Sequence, residues 1–123
     1  MDSVDNCLFC RIVKGEIPSR KIYEDEEIYA FHDINPVAPV HFMIIPKQHI
    51  ASLMEADMRH QKALGHILAK ANELALSQGL TEGFRTVINT GRIGMQEVYH
   101  LHAHILGGPE PLGVVLKRAS RSV

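Results

Sequence analysis

A chain of 123 residues has room for one hydrophobic core and not for two. Its apolar fraction of 46% and charged fraction of 22% are those of an ordinary globular domain. A net charge of −1 supplies no basic field for a nucleic-acid backbone, and no apolar run approaches the roughly 20 residues of a membrane span.

The opening "MDSVDNCLFCRIV" is acidic and lacks the charged start and apolar centre of a secretory leader, so a cytoplasmic location is expected. It carries the two cysteines, Cys7 and Cys10, in a C-x-x-C spacing. In a reducing compartment such a pair is more often a metal or redox site than a structural disulfide. Too little chain precedes Cys7 for the strand of a thioredoxin-like unit. Leu8, Phe9, Ile12 and Val13 have helical spacing, and Gly15 supplies a stop.

"RKIYED" reads as a short strand, and Asp25-Glu26 turns into a second, "EIYAFHDI". Alternation there places Ile28, Ala30, His32 and Ile34 on one face and Tyr29, Phe31 and Asp33 on the other. Pro36 and Pro39 break the chain before "HFMIIP", a buried third strand that Pro46 ends. One long helix is expected over roughly Ala56 to Gln78, with Asp57 as cap and Gly79 as stop. Its apolar face would be Leu64, Ile67, Leu68, Ala71, Leu74 and Ala75. "FRTVINTG" is a fourth strand, "TGRIGMQE" a loop, and "VYHLHAHILGG" a fifth strand. Short strands with one dominant helix inserted read as α+β with a mainly antiparallel sheet. The chain would be one domain over 1–123, with a core at about 7–108 and a tail at 109–123.

The last strand holds the unusual feature. Period-2 alternation puts His100, His102 and His104 on one face, spanning about 13 Å at roughly 3.3 Å per residue. Leu101, Ala103 and Ile105 then face the core. Gly107 and Gly108 would suit close approach of a ligand to backbone. Two chemistries fit three imidazoles in register. Neighbouring histidines could ligate a metal that keeps an open position for water. Alternatively the central imidazole is a nucleophile at a phosphoryl or acyl centre, its neighbours stabilising developing charge. Geometry alone leaves both open.

"HLHAHILGG" resembles the histidine-triad pattern, in which three histidines alternate with apolar residues. "CRIVKGEIPSRKIYEDE", "AFHDINPVAPVHFMIIPKQHI", "GFRTVINTGR" and "QEVYHLHAHILGG" are similar to the nucleotide-binding (HINT-like) branch of that family, over about residues 7 to 113. The Gln96-Glu97-Val98-Tyr99 run suggests the bacterial type. The resemblance implies homodimers whose subunits join their sheets, and purine nucleotides as ligands. It implies hydrolysis at the α-phosphate, notably of phosphoramidates that link AMP to an amine. Hydrolysis of dinucleoside polyphosphates, or a nucleotide-binding interaction module with low activity, are the alternatives.

Carried over by position, His102 is the nucleophile that takes the nucleotidyl group, with the His100 carbonyl accepting from its other nitrogen. His104 contacts the α-phosphate, and His41 is the fourth histidine of the motif set. Asp33 would accept from the ribose hydroxyls, and Asn89 would sit near the ribose–phosphate junction. Phe9, Ile12, Ile17, Phe31, His32 and Ile34 match the purine walls, with Gln96 and Val98 also in the nucleotide-binding set; for several the plain alternative is core. Glu97 stands where many relatives carry serine, and a phosphate-side role is expected of it. Met95 stands where the nearest relatives carry glycine. Some bacterial members hold zinc on this cysteine pair plus two histidines, which here are His49 and His100, a closed structural set. The tail would be where close relatives differ, reaching towards the partner's site.

Overall fold

The computed structural model describes residues 4–117. Helix α1 (Leu8–Val13) begins at Cys7, whose Sγ accepts from the Cys10 N–H at 3.3 Å. Gly15, at φ +81°, ends it, as its composition predicts. The strands are β1 (Lys21–Glu24), β2 (Ile28–His32), β3 (Val40–Pro46), β4 (Arg85–Val87) and β5 (Ala103–Gly107), with helix α2 (Gln61–Ser77) between β3 and β4. They form one sheet in the order β1-β2-β3-β5-β4, every neighbouring pair antiparallel. The α+β reading therefore holds.

Alternation divides the core in two. Ile28, Ala30, Phe42, Ile44, Ala103 and Ile105 face α2, where Ile67, Ala71, Leu74 and Ala75 cover them. On the other face Tyr29, Phe31, Met43 and Ile45 pack under α1, against Cys7, Phe9, Cys10 and Ile12. The α1 face carries the chemistry. Helix α2 is tied to the β1–β2 turn by polar contacts, with His66 Nε2 2.8 Å from Asp25 and Nδ1 3.0 Å from Glu27.

Several expectations change in detail. Asp57 is indeed a cap, but of a single 3₁₀ turn (Met58–His60) in which the His60 ring returns to the Asp57 N–H; α2 proper starts later than Ala56. Leu68 is 56% exposed, Leu64 is only partly buried, and Ala63 joins Ile67, Ala71, Leu74 and Ala75 on the buried stripe. Strand β2 stops at His32, so Ile34 leaves the shared face and is 90% exposed.

The fifth strand is shorter than its sequence pattern. His100, Leu101 and His102 precede β5, because the Leu101 N–H goes to the Ile50 carbonyl at 2.7 Å instead of to a sheet neighbour. Leu101 still enters the α2-side core, so the in–out alternation survives outside the strand. Gly107 and Gly108 stand where a side chain would meet its neighbours. A Cβ at Gly107 would lie 2.6 Å from the Leu80 side chain, and one at Gly108 would lie 2.9 Å from Pro39. The described part of the tail folds back on the sheet edge, where Arg85 Nη2 donates to the Gly113 carbonyl at 2.7 Å. The rest of the expected tail, 118–123, and the first three residues of the expected domain lie outside the described residues.

Candidate functional site

His102 is buried, with Nδ1 2.8 Å from the His100 carbonyl. A carbonyl only accepts, so Nδ1 carries the hydrogen and Nε2 keeps its lone pair. Burial lowers the pKa of this imidazole below its usual 6.5, against the opposing pull of the His100 carbonyl and of Asp33 and Glu97, so the ring is neutral at pH 7. The Phe9 ring of α1 stands edge-on to it, centroids 5.1 Å apart. His104 lies 4.9 Å away ring to ring, its pKa brought down to about 4 by burial and then by the neighbouring His102 and His41. His41 Nε2 is 2.8 Å from His104 Nδ1 and 3.3 Å from an Asp33 carboxylate oxygen. Its own Nδ1 accepts from the Val37 N–H at 3.1 Å.

These groups open into a cavity of about 450 Å³. His41, His102 and His104 line it with Asp33 and Asn89, and Phe9, Ile34, Glu97 and Val98 complete the expected residues found there. The other expected nucleotide-binding residues sit elsewhere. Ile12 and Phe31 are buried in the small core under α1, with Ile17 packed against it. His32 pairs with Phe42, so alternation turns it to the α2 face, away from the triad. Gln96 is consumed by the loop. Its Oε1 accepts from the Gly91 N–H at 2.9 Å, and its Nε2 donates to the carbonyls of Ala51 and Val98 at 2.8 and 2.9 Å.

Residues not foreseen also line the cavity, among them Leu8, Val37, Met43, Val87 and Leu106. A signal existed for two of them: Met43 follows His41 by two residues and Leu106 follows His104 by two, each pair on one strand face.

In the loop that closes this side, Met95 has φ +58° and a side chain 78% exposed. A left-handed backbone crowds its Cβ and no packing compensates, which explains a position suited to glycine. Met95→Gly is expected to raise stability by about 0.5–1 kcal/mol, strain relief outweighing the entropy of glycine. Denaturant unfolding measures it; an unchanged or lower midpoint refutes the account.

Behind His102, four ligand atoms of Cys7, Cys10, His49 and His100 lie within 4.8 Å of one another. Three of the four sulfur-to-nitrogen separations are 3.3, 3.4 and 3.5 Å, and the two imidazole nitrogens are 3.2 Å apart. A tetrahedral zinc with ordinary bond lengths needs about 3.5 Å between S and N and about 3.3 Å between two N. His100 Nε2 donates to the Pro46 carbonyl at 2.7 Å, which leaves the Nδ1 lone pair facing the sulfurs. Burial, with the adjacent Cys7, pushes the Cys10 thiol up to about 12, and burial takes His100 down to about 4. Such groups favour a cation that accepts their lone pairs. The donor set fits a closed metal centre.

The chain from 6 to 117 matches the family described as scavenger mRNA decapping enzyme C-term binding. It is 53% identical over 106 residues to Protein HitA of Neisseria gonorrhoeae, covering 86% of this chain and 99% of that one. A 14 kDa zinc-binding protein of Zea mays is 50% identical over 103 residues, covering 82% and 80%. Among solved structures, a HIT family hydrolase from Legionella pneumophila superposes with a TM-score of 0.82 at 49% identity, covering 85% of this chain and 95% of that one. With likeness of that extent laid over His100, His102 and His104 in register, the chain belongs to the histidine triad (HIT) family.

Proposed function

We propose that this protein hydrolyses purine nucleoside phosphoramidates, such as AMP joined to an amine, through a nucleotidyl-His102 intermediate. The observation that carries this reading is the His102 Nδ1 contact with the His100 carbonyl, which leaves a neutral imidazole with a free lone pair beside His104, Asp33 and an open cavity. In the first step Nε2 attacks the α-phosphorus. The P–N bond breaks, its electron pair leaves with the amine, and the amine takes up a proton. Water then attacks the same phosphorus, the bond to His102 breaks, and AMP departs.

His104 donates to an α-phosphate oxygen as charge develops there. Asp33 accepts from the ribose hydroxyls, and Asn89 donates near the ribose–phosphate junction. Phe9, Ile34 and Val98 give the base an apolar wall, with Glu97 on the phosphate side of the same cavity. Cys7, Cys10, His49 and His100 hold zinc as a structural ion; a closed set leaves no position for water. That the Legionella relative is a hydrolase and the maize relative a zinc-binding protein supports both halves. The working form is a cytoplasmic homodimer. Among the described residues no helix is long and apolar enough to cross a membrane.

Steady-state turnover of an adenosine phosphoramidate, compared with that of a diadenosine polyphosphate, tests the substrate class. The phosphoramidate is expected to give the higher kcat/KM by at least about a hundredfold, a transition-state difference near 2.7 kcal/mol. A preference for the polyphosphate overturns the assignment.

A further inference from the structure

Asp33, His41 and His104 bring a carboxylate oxygen and two imidazole nitrogens within metal-ligand spacing of one another. Two chemistries fit such a cluster, a cation site or a chain of shared hydrogens, and one backbone group distinguishes them. The Val37 N–H points at His41 Nδ1 from 3.1 Å. A backbone N–H cannot accept, so Nδ1 must hold a lone pair. In an imidazole the hydrogen is then on Nε2, the one atom through which His41 could have joined a cation. That nitrogen is a donor, with no lone pair to give.

From there the assignment passes to His104. His41 Nε2 has two acceptors in reach, His104 Nδ1 at 2.8 Å and Asp33 Oδ2 at 3.3 Å, and the shorter contact takes the hydrogen. His104 Nδ1 therefore holds a lone pair, and the hydrogen of that ring is on Nε2. Burial keeps both rings neutral, which such an arrangement requires.

We infer that His41 is a positioning residue that fixes the tautomer of His104, so that His104 presents an N–H to the cavity, and that the Asp33–His41–His104 cluster is a hydrogen-sharing chain and not a cation site. His102 and His104 share a face, two residues apart, yet hold opposite tautomers. A backbone carbonyl, that of His100, makes Nε2 of His102 a lone pair. A backbone N–H, that of Val37 acting through His41, makes Nε2 of His104 a donor. One ring is equipped to attack and the other to stabilise charge. The role of the His104 donor on phosphate rests on the function proposed above; the tautomer itself does not.

Long-range ¹H–¹⁵N correlation NMR on the labelled full chain reads each ring's tautomer without any substrate. The expected result is Nδ1–H for His102 and Nε2–H for His104 in the unaltered protein. In His41→Leu, His104 shifts to a mixture or to Nδ1–H. In His41→Gln, whose amide N–H can replace the donor, it stays Nε2–H. With an adenosine phosphoramidate, kcat of His41→Leu falls about tenfold or more while KM changes by less than about twofold, and His41→Gln recovers most of the loss. His104 as Nδ1–H in the unaltered protein overturns the inference, and so does a tautomer indifferent to His41→Leu. Zinc ion added beyond the first equivalent that displaces the His41 ring hydrogen also overturns it. If the tautomers are as assigned but no phosphoramidate is turned over, the substrate reading falls and the hydrogen chain stands.

Discussion

His102→Ala abolishes turnover of an adenosine phosphoramidate, by about a thousandfold or more, while AMP binds with little change. Nucleophile removal has that scale when the remaining groups act only around it. Neither of the other two triad histidines is placed to take the role. His104 faces the same cavity, but its Nδ1 is engaged by His41, and His100 turns both nitrogens away, to Pro46 and to the cysteines. The substitution removes one hydrogen bond, to a backbone carbonyl, and two ring contacts, to Phe9 and His104, so the fold should survive it. Rapid quench of the unaltered protein followed by mass spectrometry should find the chain carrying a nucleotidyl group, and His102→Ala should not. Because burial lowers the His102 pKa, the neutral nucleophile persists as pH falls through 6.5, and the acid limb of kcat lies below that value. Residual turnover within about tenfold of the unaltered protein would exclude His102 as nucleophile.

Zinc is the second large expectation. Protein purified without chelator should contain about one zinc per chain, and Cys10→Ser should lose it. The thermal midpoint should then drop by about 10 °C or more, since a few kcal/mol of metal-linked stability moves a domain of this size by several degrees each. The centre joins three separate stretches: α1, the segment after β3 that bears His49, and the approach to β5 at His100. Without the ion the same residues leave a buried thiol with a pKa near 12 and a buried imidazole near 4. The metal-free chain should lose stability as pH falls from 6.5 towards 4. Unfolded His100 and His104 take up protons in that window and their folded counterparts resist. Zinc content near zero, with both thiols freely reactive in the folded protein, would refute the centre.

Much of the fold is legible in the residues. Period-2 alternation assigns Ile28 and Ala30 to one core and Tyr29 and Phe31 to the other, and both assignments hold in space. Asp57, Gly15 and Gly79 mark helix boundaries through cap chemistry and positive φ, which act locally. Element lengths were less legible. "VYHLHAHILGG" has a strand's pattern throughout, but β5 begins only at Ala103, because the Leu101 N–H found a carbonyl outside the sheet. Pattern reports which way a side chain points and not what its backbone bonds.

The same division runs through the site. By itself the sequence determined that three imidazoles share a face, that two thiols stand one helical turn apart, and that a carboxylate follows β2. These depend on spacing, and spacing survives folding. Tertiary structure alone decided that Gln96 serves its loop and that His41 stands between Val37 and His104. It also decided which nitrogen of each ring carries hydrogen. The groups that set those tautomers are the carbonyls of His100 and Pro46 and the N–H of Val37. Nearly every residue carries the same backbone donor and acceptor, so side-chain identity cannot say which one will meet a histidine; only the path of the folded chain can.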